Sequence, residues 1–257
     1  SASYEYFNTP SGGLINVEAE IKGSSQPYKY IVLGTHYDSI SNGESAPGAV
    51  DNAASVAIMM ELCRLIPKYN LAKSVKLLFF SAEEIGRYGS LNWVNRNHEI
   101  RENISAVLIL DMVAYGNSLV LDYNSVSKPL ADYILEKTSF KNYLTVEANN
   151  YLSDHQSFWS ANMPAVLIHQ NDPLEYPYYH TPEDTVDKVD FNMLMLTASI
   201  TLEAAYYLAT DLNFENLYYG VNLIYPIIIL SLPIAFLTCL GVIIKFKNRR
   251  SSSENSS

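Results

Sequence analysis

Cysteine is nearly absent from this 257-residue chain, and the two present, Cys63 and Cys239, lie in unlike settings. Cys63 falls in an amphipathic helical pattern and Cys239 in an apolar run near the end, so neither a disulfide nor a thiolate metal site is expected. Basic residues are also scarce, 17 Lys and Arg against 27 Asp and Glu. Setting aside the four basic residues and one acidic residue beyond position 244 leaves 13 against 26, a net charge of −13. A domain of that sign repels a phosphate backbone, which excludes nucleic-acid binding. No basic segment followed by an apolar one precedes the first strand-like stretch, so no signal peptide is visible after Ser1. No internal repeat is evident, and the low-complexity tail SSSENSS reads as solvated.

Charge is missing altogether from residues 220–244. At about 1.5 Å per residue that run is long enough to cross a bilayer core, and it reads as a transmembrane helix. Tyr218, Tyr219 and Tyr225 stand where an aromatic belt would lie, and Lys245, Lys247, Arg249 and Arg250 follow on the other side. The positive-inside rule places the tail, 245–257, in the cytoplasm and the preceding domain outside the cell, joined through a juxtamembrane linker at 213–219. The membrane is thus an expected partner. Pro226 and Pro233 would kink the span without excluding it.

Residues 1–212 are enough for one domain with a buried core. YIVLG at 30–34, VKLLFF at 75–80, AVLIL at 106–110 and AVLIH at 165–169 are short runs rich in Val, Ile, Leu and Phe. Such runs suit strands covered on both faces, in the middle of one sheet. Val56, Met59, Met60, Cys63 and Ile66 recur at helical spacing, which predicts a helix over about 52–66 that stops at Pro67. Further helices are predicted near 127–138 and over about 191–209, the latter behind an Asp190 N-cap. The alternation implies an α/β domain with a central, mostly parallel twisted sheet flanked by helices.

Six side chains stand at the ends of these apolar runs or begin the segments between them: His36, Asp51, Glu83, Glu84, Asp111 and His180. Two imidazoles and four carboxylates gathered in one crevice would repel strongly without divalent cations. The crevice is expected at the carboxyl edge of the sheet. His36 and Asp38 lie two apart, so in extended backbone Asp38 faces the same side and can accept the other ring N–H of a metal-bound His36. Asp51, in PGAVDNAAS, can bridge two cations from a loop end, where Gly48, Ala49, Ala53 and Ala54 leave room. Glu83 and Glu84 cannot face the same way, so one suits a ligand and its neighbour a general base. Asp111 ends an apolar run at a depth where a bare carboxylate is costly. Pro177 and Pro182 hold the loop of His180. His155 and His169 are expected to hydrogen-bond near the site rather than ligate, and His98 to lie on a solvated helix end.

GTHYDS, PGAVDNAAS, FFSAEEIGRYGS, LDMVAYG, SDHQSFW and YYHTPEDT occur in that order, and with them about residues 10–210 resemble the M28 family of zinc aminopeptidases. The resemblance implies a zinc-exopeptidase-like fold and a co-catalytic pair of zinc ions. Asp51 would bridge them, His36 and Asp111 completing one site and Glu84 and His180 the other. Glu83 would be the general base, and the Tyr151 hydroxyl would assist the substrate carbonyl. The substrates implied are peptides with a free N-terminus, and a cis Asp51–Asn52 bond is expected. Glutaminyl cyclases share the fold but use one zinc; against them, Tyr179 stands where they usually carry tryptophan, and SDH replaces their usual DDH. A non-enzymatic, receptor-like relative is the other alternative, opposed by six filled positions. The stretch before Tyr30 is short for the family, and Phe158, Tyr176 and Tyr178 are candidates to line the side-chain pocket.

Overall fold

Each of the four apolar runs becomes a strand in the middle of a single sheet. A computed structural model describes residues 1–10, 12–42, 46–148 and 151–214, and Ser1–Leu212 form one compact unit. The runs lie in β3 (Gln26–His36), β4 (Lys73–Phe80), β5 (Ile104–Leu110) and β8 (Ala165–Gln170). Four further strands flank them: β1 (Ala2–Thr9), β2 (Gly12–Ile21), β6 (Leu119–Asp122) and β7 (Leu144–Glu147). The order across the sheet is β1-β2-β4-β3-β5-β8-β6-β7. The central strands β4, β3, β5 and β8 are mutually parallel, while β1–β2, β2–β4 and β6–β8 pair antiparallel. Strands β1 and β2 fill the stretch before Tyr30 that the sequence leaves unassigned.

Helices α1 (Ala54–Leu65), α3 (Lys128–Lys137) and α5 (Phe191–Thr210) correspond to the three predicted ones. The first starts two residues later than expected, because Ala49–Ala53 form a separate π-type turn in which Asp51 and Asn52 leave helical geometry. Pro67 closes α1 within a short 3₁₀ turn. Two more helices, α2 (Tyr88–Arg96) and α4 (His155–Ser160), cover one face of the sheet. There Trp93 and Phe158 pack with Val32, Phe80 and Ile109. The alternate residues Ile31 and Leu33, equally buried, turn to the opposite face under α1 and α5.

Although α5 is long and apolar enough to cross a membrane by length and composition, it packs on the sheet through Met193, Thr197, Ile200, Ala204 and Leu208, all buried. Buried Lys73 fastens its end, with Nζ donating to the carbonyls of Leu208 at 3.1 Å and Asp211 at 2.9 Å, as suits a cation at a helix C-terminus. The predicted span at 220–244, its tail at 245–257 and the linker from 215 onward lie outside the described residues.

At the other end of α5, the Asp190 carboxylate accepts from the amides of Asn192 at 2.8 Å and Met193 at 3.3 Å, the N-cap expected from sequence. Asp190→Ala is expected to cost about 1 kcal/mol of stability, read as a lowered urea midpoint at unchanged slope.

Candidate metal centre

Because β4, β3, β5 and β8 run in one direction, their C-terminal ends share an edge, and the chain delivers its polar residues there. His36 is the last residue of β3, Asp111 follows the last of β5, and Glu83 and Glu84 lie in the turn between β4 and α2. His180 sits beyond β8, and Asp51 sits in the turn before α1, joined to Asn52 by a cis peptide bond.

Asp51 occupies the middle. Its Oδ1 lies 3.5 Å from His36 Nε2 and its Oδ2 lies 3.3 Å from His180 Nε2, so one carboxylate faces an imidazole on each side. His36 Nε2 is also 3.2 Å from Asp111 Oδ1, and His180 Nε2 is 2.8 Å from Glu84 Oε2. Two groups able to hold a cation result, His36–Asp51–Asp111 and Asp51–Glu84–His180, each with ligand atoms within 4.8 Å of one another. Glu83 belongs to neither. The donors are imidazole nitrogen and carboxylate oxygen, a set suited to zinc. Among the described residues Glu84 Oε1 is buried without a hydrogen-bond partner, as a lone pair reserved for a cation would be.

Three side chains that the sequence reading did not single out for these roles, or placed differently, hold this arrangement. Asp184 is buried and accepts from the backbone amides of Val50 and Asp51, each at 3.0 Å, and from the Tyr176 hydroxyl at 2.8 Å. Asn52 donates to Thr35 Oγ1 at 3.2 Å and the Leu110 carbonyl at 3.1 Å, and accepts from the Met112 amide at 3.2 Å. It thereby ties the ends of β3 and β5 to the turn of Asp51. Asp38 differs from expectation: the His36 Nδ1 hydrogen bond goes to its backbone carbonyl at 3.1 Å, with Oδ1 at 3.7 Å. Its carboxylate instead accepts from the amides of Glu83 at 3.1 Å and Glu84 at 3.2 Å.

Local backbone geometry is unusual at the same places. Ala82, Met112 and His180 adopt φ of 62°, 49° and 54°, left-handed values that side chains other than glycine rarely take. His180 is a candidate ligand, Met112 follows one and Ala82 precedes Glu83 and Glu84, and such strain persists where the surroundings over-determine it. Gly48, at φ 58°, approaches so closely that a Cβ there would lie 2.6 Å from the Asp51 carbonyl oxygen.

Crowding sets the protonation. Burial, reinforced by Asp154, pushes Glu83 up to about 9, and burial with Asp51 beside it pushes Glu84 up to about 8. Burial also raises Asp51, outweighing the contacts with His180 and His36. For His36, burial opposes the charge, but Asp111, Asp51 and Glu83 lift it well above the usual imidazole value. Asp111 goes down: burial disfavours its charge, and the His36 contacts more than compensate. Without cations, protons and imidazolium ions offset the carboxylates.

Beside these groups opens a pocket of about 330 Å³ whose wall includes Glu83, Asp111, Tyr151, Leu167, His169 and Tyr179. Burial raises the Tyr151 hydroxyl, which keeps it a neutral donor. His155 and His169 stand outside both cation-holding groups, and His98 lies in an exposed turn after α2. The expected pocket aromatics are placed otherwise. Phe158 is fully buried against Phe80 and Trp93, Tyr176 is buried with its hydroxyl on Asp184, and Tyr178 packs on the Tyr176 ring outside the pocket.

The model for peptidase family M28 matches residues 16–205. The sequence is 28% identical over 216 residues to a "probable leucine aminopeptidase" of Arthroderma otae, covering 79% of this chain and 58% of the relative. The structure is similar to a zinc aminopeptidase from Bacillus subtilis, with a TM-score of 0.69 and 23% identity, over 79% of this chain and 52% of that one. A glutaminyl cyclase from an Acidobacteriales bacterium gives the same TM-score of 0.69 and 23% identity, over 81% and 79%. These two likenesses show the fold alone. The chain spans 58% of the length of the fungal relative and 52% of the Bacillus structure.

Asp184 holds the backbone amides of Val50 and Asp51 and so fixes the turn that presents Asp51. Asp184→Ala is expected to weaken zinc binding about ten- to a hundredfold in competition with a chelator. Because Glu84 titrates at about 8 in the metal-free site, zinc uptake at pH 7 should release protons, and affinity should fall as pH falls. Calorimetry in buffers of different ionisation enthalpy measures that release.

Proposed function

The chain belongs to peptidase family M28, and from that premise we propose that it is a co-catalytic di-zinc aminopeptidase acting on peptides with a free N-terminus. The observation that carries the reading is the pair of cation-holding groups sharing Asp51, with Glu83 outside both and in the wall of the same pocket. His36 and Asp111 would hold one zinc ion, Glu84 and His180 the other, and Asp51 both. Zinc would supply Lewis acidity that makes water nucleophilic near neutral pH and polarises a scissile carbonyl.

The chain's own groups do the rest. Glu83 takes the proton of the attacking water and, as the carbon–nitrogen bond breaks, returns it to the leaving amine. Asp38 keeps Glu83 apart from Glu84 by holding the amides of both. Tyr151 donates from the pocket wall to the oxygen on which charge develops, a contact of a kind worth about 3 kcal/mol of barrier. The net negative charge of the domain favours the approach of a substrate ammonium group.

Glu83→Gln is expected to retain zinc and lose nearly all turnover on amino-acyl amides, whereas Asp51→Ala should lower zinc occupancy itself. Near-normal turnover in Glu83→Gln would remove the general-base role. One zinc per chain together with cyclisation of N-terminal glutamine would move the assignment to a glutaminyl cyclase. Purified protein without zinc would support the receptor-like alternative.

We also propose that residues 220–244 anchor the chain in the cell membrane as a single span, with the peptidase domain outside and residues 245–257 in the cytoplasm. The uncharged run and the basic cluster after it support this reading. The full chain should resist alkaline carbonate extraction, and a chain ending at residue 214 should be released by it.

A further inference from the structure

One group in the pocket wall has no task in the chemistry above. His169 is the penultimate residue of β8 and is 1% exposed. Its ring meets that of Tyr151 edge-on at 4.6 Å. Nδ1 lies 2.7 Å from the Gln170 carbonyl oxygen. A carbonyl can only accept, so Nδ1 carries the hydrogen. Burial pushes the imidazole below its ordinary value, and the Gln170 hydrogen bond and the carboxylates of Asp111, Glu147 and Asp172 do not reverse this. The ring is therefore neutral, and Nε2 presents a bare lone pair. Nε2 is buried and has no hydrogen-bond partner among the described residues. An unsatisfied acceptor of this kind costs about 1–3 kcal/mol, a cost recovered when a donor arrives. Leu152, Leu167, Pro173 and Leu174 add apolar wall, and the hydroxyls of Tyr151, Ser153 and Tyr179 also line the pocket.

We propose that His169 reads the substrate's N-terminal side chain, Nε2 accepting a hydrogen bond from a donor group there, so that the pocket selects amide-bearing residues over aliphatic ones of the same shape. This rests on the aminopeptidase reading and adds the substrate class to it. Asparagine and leucine are near-isosteric, as are glutamine and methionine, so a purely apolar pocket favours the second of each pair. A site built to satisfy a polar partner reverses that order. A terminal carboxylate offers no donor at neutral pH and meets the field of Glu147 and Asp172, so glutamate ranks last.

The test is kcat/KM of the zinc-loaded full chain on fluorogenic amides of Asn, Leu, Gln, Met and Glu. Asn over Leu and Gln over Met are expected by about tenfold or more, and His169→Phe, which keeps a ring beside Tyr151, should collapse both ratios by a similar factor. Calorimetric binding of the corresponding amino-acid amides to zinc-loaded Glu83→Gln reads the same order without turnover, so loss of the hydrolase reading is distinguishable from loss of this one. Wild-type preference for Leu and Met, or ratios in a folded His169→Phe within about twofold of wild type, would overturn the assignment. Should that variant not fold, the wild-type order alone decides.

Discussion

Everything at the carboxyl edge of the sheet is arranged around one carboxylate with an imidazole on either side. Asp51 offers Oδ1 toward His36 and Oδ2 toward His180, and that requires its turn to hold the side chain between the end of β3 and the loop beyond β8. The turn has no regular secondary structure to fix it. Its amides are held by Asp184, its next residue is pinned by Thr35, Leu110 and Met112, and its entry is kept open by Gly48. The sheet supplies direction, since parallel strands deliver their ends together, and the hydrogen-bonded turn supplies position.

The electrostatics follow from the same crowding. Glu83 and Glu84 are each pushed well above the ordinary carboxylate range by burial and neighbouring carboxylates, a state that bound divalent cations would relieve by replacing protons. Asp38 shows how finely the arrangement is divided. By accepting from two successive amides, it fixes the backbone of adjacent glutamates that both line the pocket, of which Glu84 meets His180.

Much of this was legible in the sequence, for identifiable reasons. The four central strands are continuous apolar runs because both faces are covered, and carboxylates or imidazoles at the ends of such runs stand out. Strands β1 and β2 were not read, because Tyr4 and Tyr6 face solvent and blur the pattern; β6 and β7 are four residues each. Asp184 and Asn52 lay inside recognised motifs, but Asp and Asn in loops cap turns so commonly that hydrogen bonds to distant backbone cannot be inferred from them. Asp38 was misplaced because alternation applies only within a strand, and β3 ends at His36. Phe158 was misplaced because a helix as short as α4 leaves too little pattern to show which face turns inward.

The shared carboxylate has a thermodynamic corollary. Under the proposed di-zinc reading, two ions that both draw on Asp51 would not load independently: the first to arrive would fix that side chain for the second and at the same time add its own repulsion. Whatever the balance of those effects, linkage makes them mutual, so the factor by which one occupied position alters the affinity of its neighbour is identical in either order of filling. A titration of this protein would therefore be described by a coupled pair of constants rather than by two separate ones.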